Sequence, residues 1–265
     1  MHAFNYHRPS NVNDAAALAA KSADAKILAG GQSLVQAMKL RLAAPTDIVD
    51  LGMVKDLAGI KVDAKNVTIG AMTRHAEVAG STEVKKAIPA LAALAGMIGD
   101  RQVRNMGTLG GALANSDPAA DYPAAVLGLG ATITTTKGTH AADKFFKGLY
   151  ETALKPGEII TSVSFPVPKR AAYMKFKNPA SRFAIVGVFV ADTGAGVRVA
   201  VTGAGPCALR LAEMEKALTA KFAPESVASL KIKPDGLNAD LHASAEYRAH
   251  LITVMAKRAV AAAMK

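Results

Sequence analysis

Residues 26–45 read KILAGGQSLVQAMKLRLAAP, and the fold turns on what the two adjacent glycines are for. Lys26 to Leu28 reads as a short strand and Ala29 to Ser33 as a glycine turn. Ser33 to Ala43 carries apolar residues at helical spacing until Pro45 stops it. Glycine opens backbone conformations closed to residues with a Cβ, so such a turn can aim successive amides at one anion. Gly30, Gly31, Gln32 and Ser33 offer those N–H groups at a helix start, with the Ser33 hydroxyl as cap or phosphate donor. Leu34 and Met38 are expected to face inward, with Lys39 and Arg41 near the surface.

A second glycine pair lies far along the chain, in DRQVRNMGTLGGALANSDPAADYPAAVLGLGA, residues 100–131. Rich in Gly, Pro and Asp, this stretch reads as a long loop between apolar helices, and loops of that length in a compact domain are usually functional. Thr108, Leu109, Gly110 and Gly111 can build another nest of amides, to which Asn105, Asn115 and Ser116 add polar groups. Asp117 and Asp121 can accept from ligand hydroxyls, and Asp117 can equally cap a turn. A diphosphate bridged by two such nests needs little side-chain charge, because backbone dipoles supply it. On these features alone, two ordinary structural turns remain an equally good reading.

The rest of the chain supplies an α+β frame. A helix is expected at Asn13 to Ala23 behind the caps Ser10 and Asn11, strands at Asp47 to Leu51 and Val67 to Ala71, and a long apolar helix from Thr82 to Ile98 broken near Pro89. Strands follow at 132–136, 159–165, 172–176, 184–191 and 197–201, then helices at 209–220 and 244–264. A shift of composition after Pro168 marks a domain boundary. With 265 residues, 51% of them hydrophobic, the chain can bury a sizeable core.

Composition excludes several chemistries. A formal charge of +11 favours phosphate-bearing ligands or acidic partners, but the basic residues are dispersed and aromatics make up only 5% with no Trp, so nucleic acid is not expected. The single cysteine, Cys207, cannot form an intrachain disulfide or hold a thiolate metal site, which fits a reducing, cytoplasmic setting. The six histidines lack ligand spacing, so no metal is expected; no apolar run reaches the length of a membrane span. GAGPCA at 203–208 imitates the turn of a dinucleotide fold. Its context fails: no second strand ending in an acidic residue follows. A nicotinamide-dependent oxidoreductase using that turn, or a basic binding module with purely structural glycines, are the competing functions.

The two glycine stretches, together with FNYHRPSNVNDAAALAA, IGAMTRHAEV and the DPAAD run, resemble the FAD-binding medium subunits of molybdenum hydroxylases. That family includes the medium chain of carbon monoxide dehydrogenase and the flavin part of xanthine dehydrogenase, and the likeness covers nearly the whole chain. It implies two α+β pieces, 1–57 and 58–169, forming the FAD domain, and a C-terminal piece, 170–265, with an antiparallel sheet. The FAD diphosphate is then expected between Ala29, Gly30, Gly31, Gln32, Ser33 and Leu34 on one side and Thr108, Leu109, Gly110, Gly111 and Ala112 on the other. By the same likeness Asp121 contacts the flavin tail, Ile98 and Ile160 make apolar contacts, Lys175 is a basic ligand near the flavin, and Phe183 covers its ring. Arg182 departs from relatives that carry an acid before this strand.

The resemblance further implies a large molybdenum–pterin subunit and a small subunit with two 2Fe–2S clusters, assembled as a dimer of heterotrimers. Electrons would pass from those clusters through FAD to NAD or a quinone, and no side chain of this chain acts as a catalytic acid, base or nucleophile. Other residues have plainer expectations. Phe4 and Tyr6 read as core anchors, His75 as a helix-start or packing residue, Cys207 as a buried small hydrophobe, and Arg101 and Arg104 as either cofactor-side charges or intersubunit ion pairs.

Overall fold

A computed structural model describes residues 1–265. The chain begins with β1 (Asn5–His7), α1 (Val12–Ala20), β2 (Lys26–Leu28), α2 (Leu34–Lys39) and β3 (Asp47–Asp50). The strands form a parallel sheet in the order β1-β3-β2. Asn11 caps α1, its side-chain oxygen accepting from the Asp14 amide at 2.9 Å. Each of these strands has only three or four residues, so β1 buries little. Phe4 and Tyr6 lie 38% and 53% exposed rather than in the core, and the Tyr6 hydroxyl donates to Asp50.

The middle of the chain builds a five-stranded antiparallel sheet from β4 (Ile60–Val62), β5 (Asn66–Gly70), β6 (Thr132–Thr135), β7 (Gly138–Ala141) and β10 (Ile160–Pro166), with a small hairpin of β8 (Phe146–Gly148) and β9 (Glu151–Thr152). Between β5 and β6 run six helices: α3 (His75–Gly80), α4 (Thr82–Ala87), α5 (Pro89–Gly96), α6 (Arg101–Met106), α7 (Leu109–Asn115) and α8 (Tyr122–Leu129). The expected break at Pro89 separates α4 from α5, with proline at the first turn, where its missing N–H costs nothing. The expected long loop at 100–131 is instead mostly helical. Asp100 and Thr108 cap α6 and α7, Ser116 ends α7 in the left-handed region at φ 47°, and only a short turn at 116–121 remains irregular. Every residue of α8 is buried, its proline falls in the first turn where it is tolerated, and tertiary packing offsets the cost of the one interior glycine, Gly128.

The last third forms an antiparallel sheet, β11 (Arg170–Lys177), β12 (Ala184–Asp192), β13 (Val197–Thr202) and β14 (Leu209–Arg210), followed by α9 (Ala212–Ala220), α10 (Glu225–Ala228) and α11 (Ala245–Ala263). The helix expected from Leu209 starts only at Ala212, because Leu209 and Arg210 pair with Val201 and Ala200. β12 reads AIVGVFVAD and is buried on both faces: Val186, Val188 and Val190 pack under α9 and α11, while Phe189 and Ala191 join the core of the middle region. An uninterrupted apolar run is the signature of a strand covered twice. Full burial of Phe189 alone contributes roughly 1.5–3 kcal/mol. No helix is long and apolar enough to cross a membrane.

Candidate functional site

The two glycine turns, some 75 residues apart in sequence, touch. A Cβ on Gly30 would sit 2.1 Å from the Met106 carbonyl oxygen and 2.7 Å from the Gly107 Cα, and one on Gly111 would rest 3.4 Å from the Ala29 Cβ. Together they form one wall of a cavity of about 770 Å³. Its lining includes Ala29, Gly30, Gly31, Gln32, Ser33, Leu34, Ile98, Thr108, Gly110, Gly111, Ala112, Asp121, Ile160 and Phe183. Of the residues that the resemblance assigned, Leu109 and Lys175 do not line it: Leu109 points into the core, and Lys175 lies one layer behind.

The turns differ in what their amides do. The N–H groups of Gly30, Gly31, Gln32 and Ser33 donate to no acceptor within the chain, and Gly31 takes φ 72°, which a β-carbon disfavours. Ser33 makes no capping hydrogen bond, so the expected cap is not formed and its hydroxyl stays free at the cavity. In the second turn the expected nest is not available. Leu109 N–H donates to Thr73 O at 3.1 Å, Gly110 N–H to Ala71 O at 2.8 Å, Gly111 N–H to Thr108 Oγ1 at 3.2 Å and Ala112 N–H to Thr108 O at 3.1 Å. The bare Cα of Gly110 is needed for contact, since a Cβ there would lie 2.6 Å from the Ala71 Cβ.

Asp121 sits at the cavity wall with both oxygens engaged, accepting from the Tyr173 hydroxyl at 2.5 Å and the Lys175 ammonium at 2.9 Å. Burial pushes its carboxyl above the usual range, against the pull of Lys175 and Tyr173. Lys175 also donates to Met97 O at 3.2 Å, so β11 is tied to the loop before α6 and to the DPAAD turn. Asp117 caps that turn through the Ala119 amide at 2.8 Å and accepts from the Tyr150 hydroxyl at 3.3 Å. Arg104 donates from its guanidinium to the carbonyls of Ile98 and Gly99. Arg101 is exposed, Asn105 bonds within α6, and Cys207 is only half-buried.

At the rim, Phe183 is 48% exposed, next to Arg182 at φ 63°, and Tyr150, at φ 54°, also lines the cavity. Also in the lining, buried Glu158 accepts from Thr135 Oγ1 at 2.5 Å, from the Lys155 amide at 2.9 Å, and faces His140 Nε2 at 2.8 Å. Burial alone would raise its pKa, but these bonds outweigh it and hold the carboxyl at about 2. Sequence reasoning missed Tyr122, Tyr150 and Glu158 as lining residues. Tyr122, adjoining the flagged Asp121, carried the one available signal. GAGPCA proves to be a packing turn: Gly203 has φ 84°, its amide donates to Pro118 O at 2.7 Å, and the chain continues into β14 rather than a helix.

An extended ligand with a central anion matches this cavity: free amides at one turn, a close backbone approach at the other, and apolar walls beyond. The family model described as the FAD binding domain in molybdopterin dehydrogenase matches residues 2–168, and that of the CO dehydrogenase flavoprotein C-terminal domain matches 171–263. The chain belongs to this FAD-binding family. The medium chain of carbon monoxide dehydrogenase from Afipia carboxidovorans is 36% identical over 97% of this chain and 95% of its own length. The nicotine 6-hydroxylase medium subunit of Paenarthrobacter nicotinovorans is 34% identical over 97% and 96%. Among solved structures, a Cu,Mo-containing CO dehydrogenase superposes with TM-score 0.91 at 34% identity, covering 99% of this chain and 98% of that one. The family relationship makes FAD the cofactor and the chain an oxidoreductase subunit. The cavity fits it, for its volume lies in the range of small-molecule sites and its free donors suit a diphosphate.

Proposed function

We propose that this chain is the flavoprotein subunit of a molybdenum hydroxylase, built as three pieces, 1–57, 58–169 and 170–265. It works in the cytoplasm beside a large molybdenum–pterin subunit and a small subunit with 2Fe–2S clusters, two heterotrimers forming the assembly. The observation that carries this reading is the pair of touching glycine turns on one cavity, with four free amides on the first. FAD supplies a ring that takes up single electrons and gives them up in pairs. The protein binds and orients. Gly30 to Ser33 would donate to the diphosphate, Gly30 and Gly110 let neighbouring backbones approach, and Ile98 and Ile160 exclude water. Phe183 at the rim shields the ring and sets access for the external acceptor, NAD or a quinone. Asp121, held by Tyr173 and Lys175, takes a ribityl or ribose hydroxyl after a small adjustment of those bonds.

The test is purification from the native source. The expected result is a yellow complex of three chains with molybdenum and iron, whose flavin absorbance bleaches under anaerobic addition of the holoenzyme's substrate. A colourless chain that takes up no FAD and travels alone would overturn the proposal.

A further inference from the structure

Two polar side chains in the cavity wall lie outside the residues that family likeness assigns. His75 opens α3 and Tyr122 opens α8, and both line the cavity. Tyr122 is fully buried and His75 is 5% exposed, yet Tyr122 Oη and His75 Nδ1 have no hydrogen-bond partner. Their rings are neighbours, with centroids 5.3 Å apart. The one other buried orphan, Arg248 Nε, belongs to a guanidinium whose remaining nitrogens bond Ile185 O, Gly203 O and Asp240. A buried polar group without a partner costs about 1–3 kcal/mol. Both atoms are enclosed by protein, so a ligand seated in the cavity reaches them only when the two rings turn toward it, and the unmet bonds favour that turn once hydrogen-bonding atoms are offered.

The chemistry of that ligand follows from charge. Burial, helped by the nearby Arg104 guanidinium, holds the His75 imidazole down at about 4, and burial pushes the Tyr122 hydroxyl far above its ordinary value. Both side chains are therefore neutral at physiological pH, a poor match for phosphate and a good one for hydroxyl, amide or ring-nitrogen groups. The anion is already provided for at Gly30 to Ser33, where four amides are free. We infer that His75 and Tyr122 form a neutral contact pair for the uncharged portion of FAD, while the first glycine turn holds its diphosphate. The inference rests on FAD occupying this cavity.

The test uses the full-length chain, freed of FAD, with the variants Tyr122→Phe, His75→Leu and His75→Gln. Tyr122→Phe is expected to leave the melting temperature of the FAD-free chain unchanged or higher, because it removes an unpaired hydroxyl. It should weaken FAD binding about tenfold by fluorescence titration and shrink the FAD-induced rise in melting temperature accordingly. His75→Leu should weaken FAD similarly, with His75→Gln retaining affinity within about threefold, as expected for one neutral hydrogen bond. Riboflavin and ADP serve as half-ligands: loss confined to riboflavin places the pair on the flavin side, loss confined to ADP on the adenosine side, and either supports the contact. A lower melting temperature of the FAD-free Tyr122→Phe chain, or FAD affinity unchanged in Tyr122→Phe and His75→Leu, would overturn it. Wild-type chain that binds no FAD would instead remove the cofactor reading on which the pair depends.

Discussion

The two glycine turns look alike in sequence and differ in structure. AGGQS keeps the amides of Gly30 to Ser33 unspent and sits on a short surface helix. GTLGG has committed Leu109 to Ala112 to internal acceptors and lies at the buried start of α7, its Gly110 against Ala71. The first turn holds free donors; the second is the anvil it is pressed against. A glycine pair therefore announces close backbone approach, and only the hydrogen-bond partners say whether a ligand or the protein itself is approached.

The largest effect should come from the point where the turns meet. Gly30→Ala drives a Cβ into a backbone carbonyl that cannot yield, so loss of FAD binding and destabilisation by more than about 3 kcal/mol are expected in urea melts. Wild-type stability with FAD retained would show that the contact is loose.

Acid should separate the turns next. His75 lies beneath the second turn, its amide donating to Gly107 O at 3.0 Å, and its folded pKa of about 4 is below the unfolded 6.5. The folded state thus resists a proton that the unfolded chain accepts. Stability is full above pH 6.5 and falls as pH drops from there toward 4, by up to about 3 kcal/mol. His75→Gln should flatten that slope, while the first turn, which has no titratable side chain, contributes nothing to it. A slope unchanged in His75→Gln would refute the assignment.

Gly110→Ala should cost about 2 kcal/mol of stability by overpacking against Ala71 while leaving the FAD affinity of the folded fraction little changed. Gly31→Ala should show the converse. A positive φ costs a β-carbon about 1 kcal/mol, and relaxing it turns the free amides away, so FAD affinity falls about fivefold with little change in melting temperature. Equal behaviour of these two variants in paired titrations and melts would erase the distinction between donor and anvil.

Local patterns made the frame readable. The strand at Lys26 to Leu28, the apolar run of β12 and the break at Pro89 each follow from residue type and spacing. So did the first turn as a run of unspent amides, because nothing around it competes for them. The second turn misled because its competitors, the carbonyls of Ala71 and Thr73, lie nearly forty residues away. The stretch 100–131 looked like loop because Gly, Pro and Asp dominate it, whereas caps at Asp100 and Thr108 and complete burial of α8 made it helical. His75 and Tyr122 as orphans, and the Asp121 clamp on Tyr173 and Lys175, are products of tertiary packing that no local window contains.

That clamp ties the two family segments together. Both glycine turns and Asp121 lie within residues 2–168, while Tyr173, Lys175 and Phe183 lie beyond them. A chain cut after residue 168 would keep the two turns but lose both partners of the Asp121 carboxylate and the Phe183 wall of the cavity. The cavity is thus completed by the C-terminal piece, and the first 168 residues by themselves enclose only part of it.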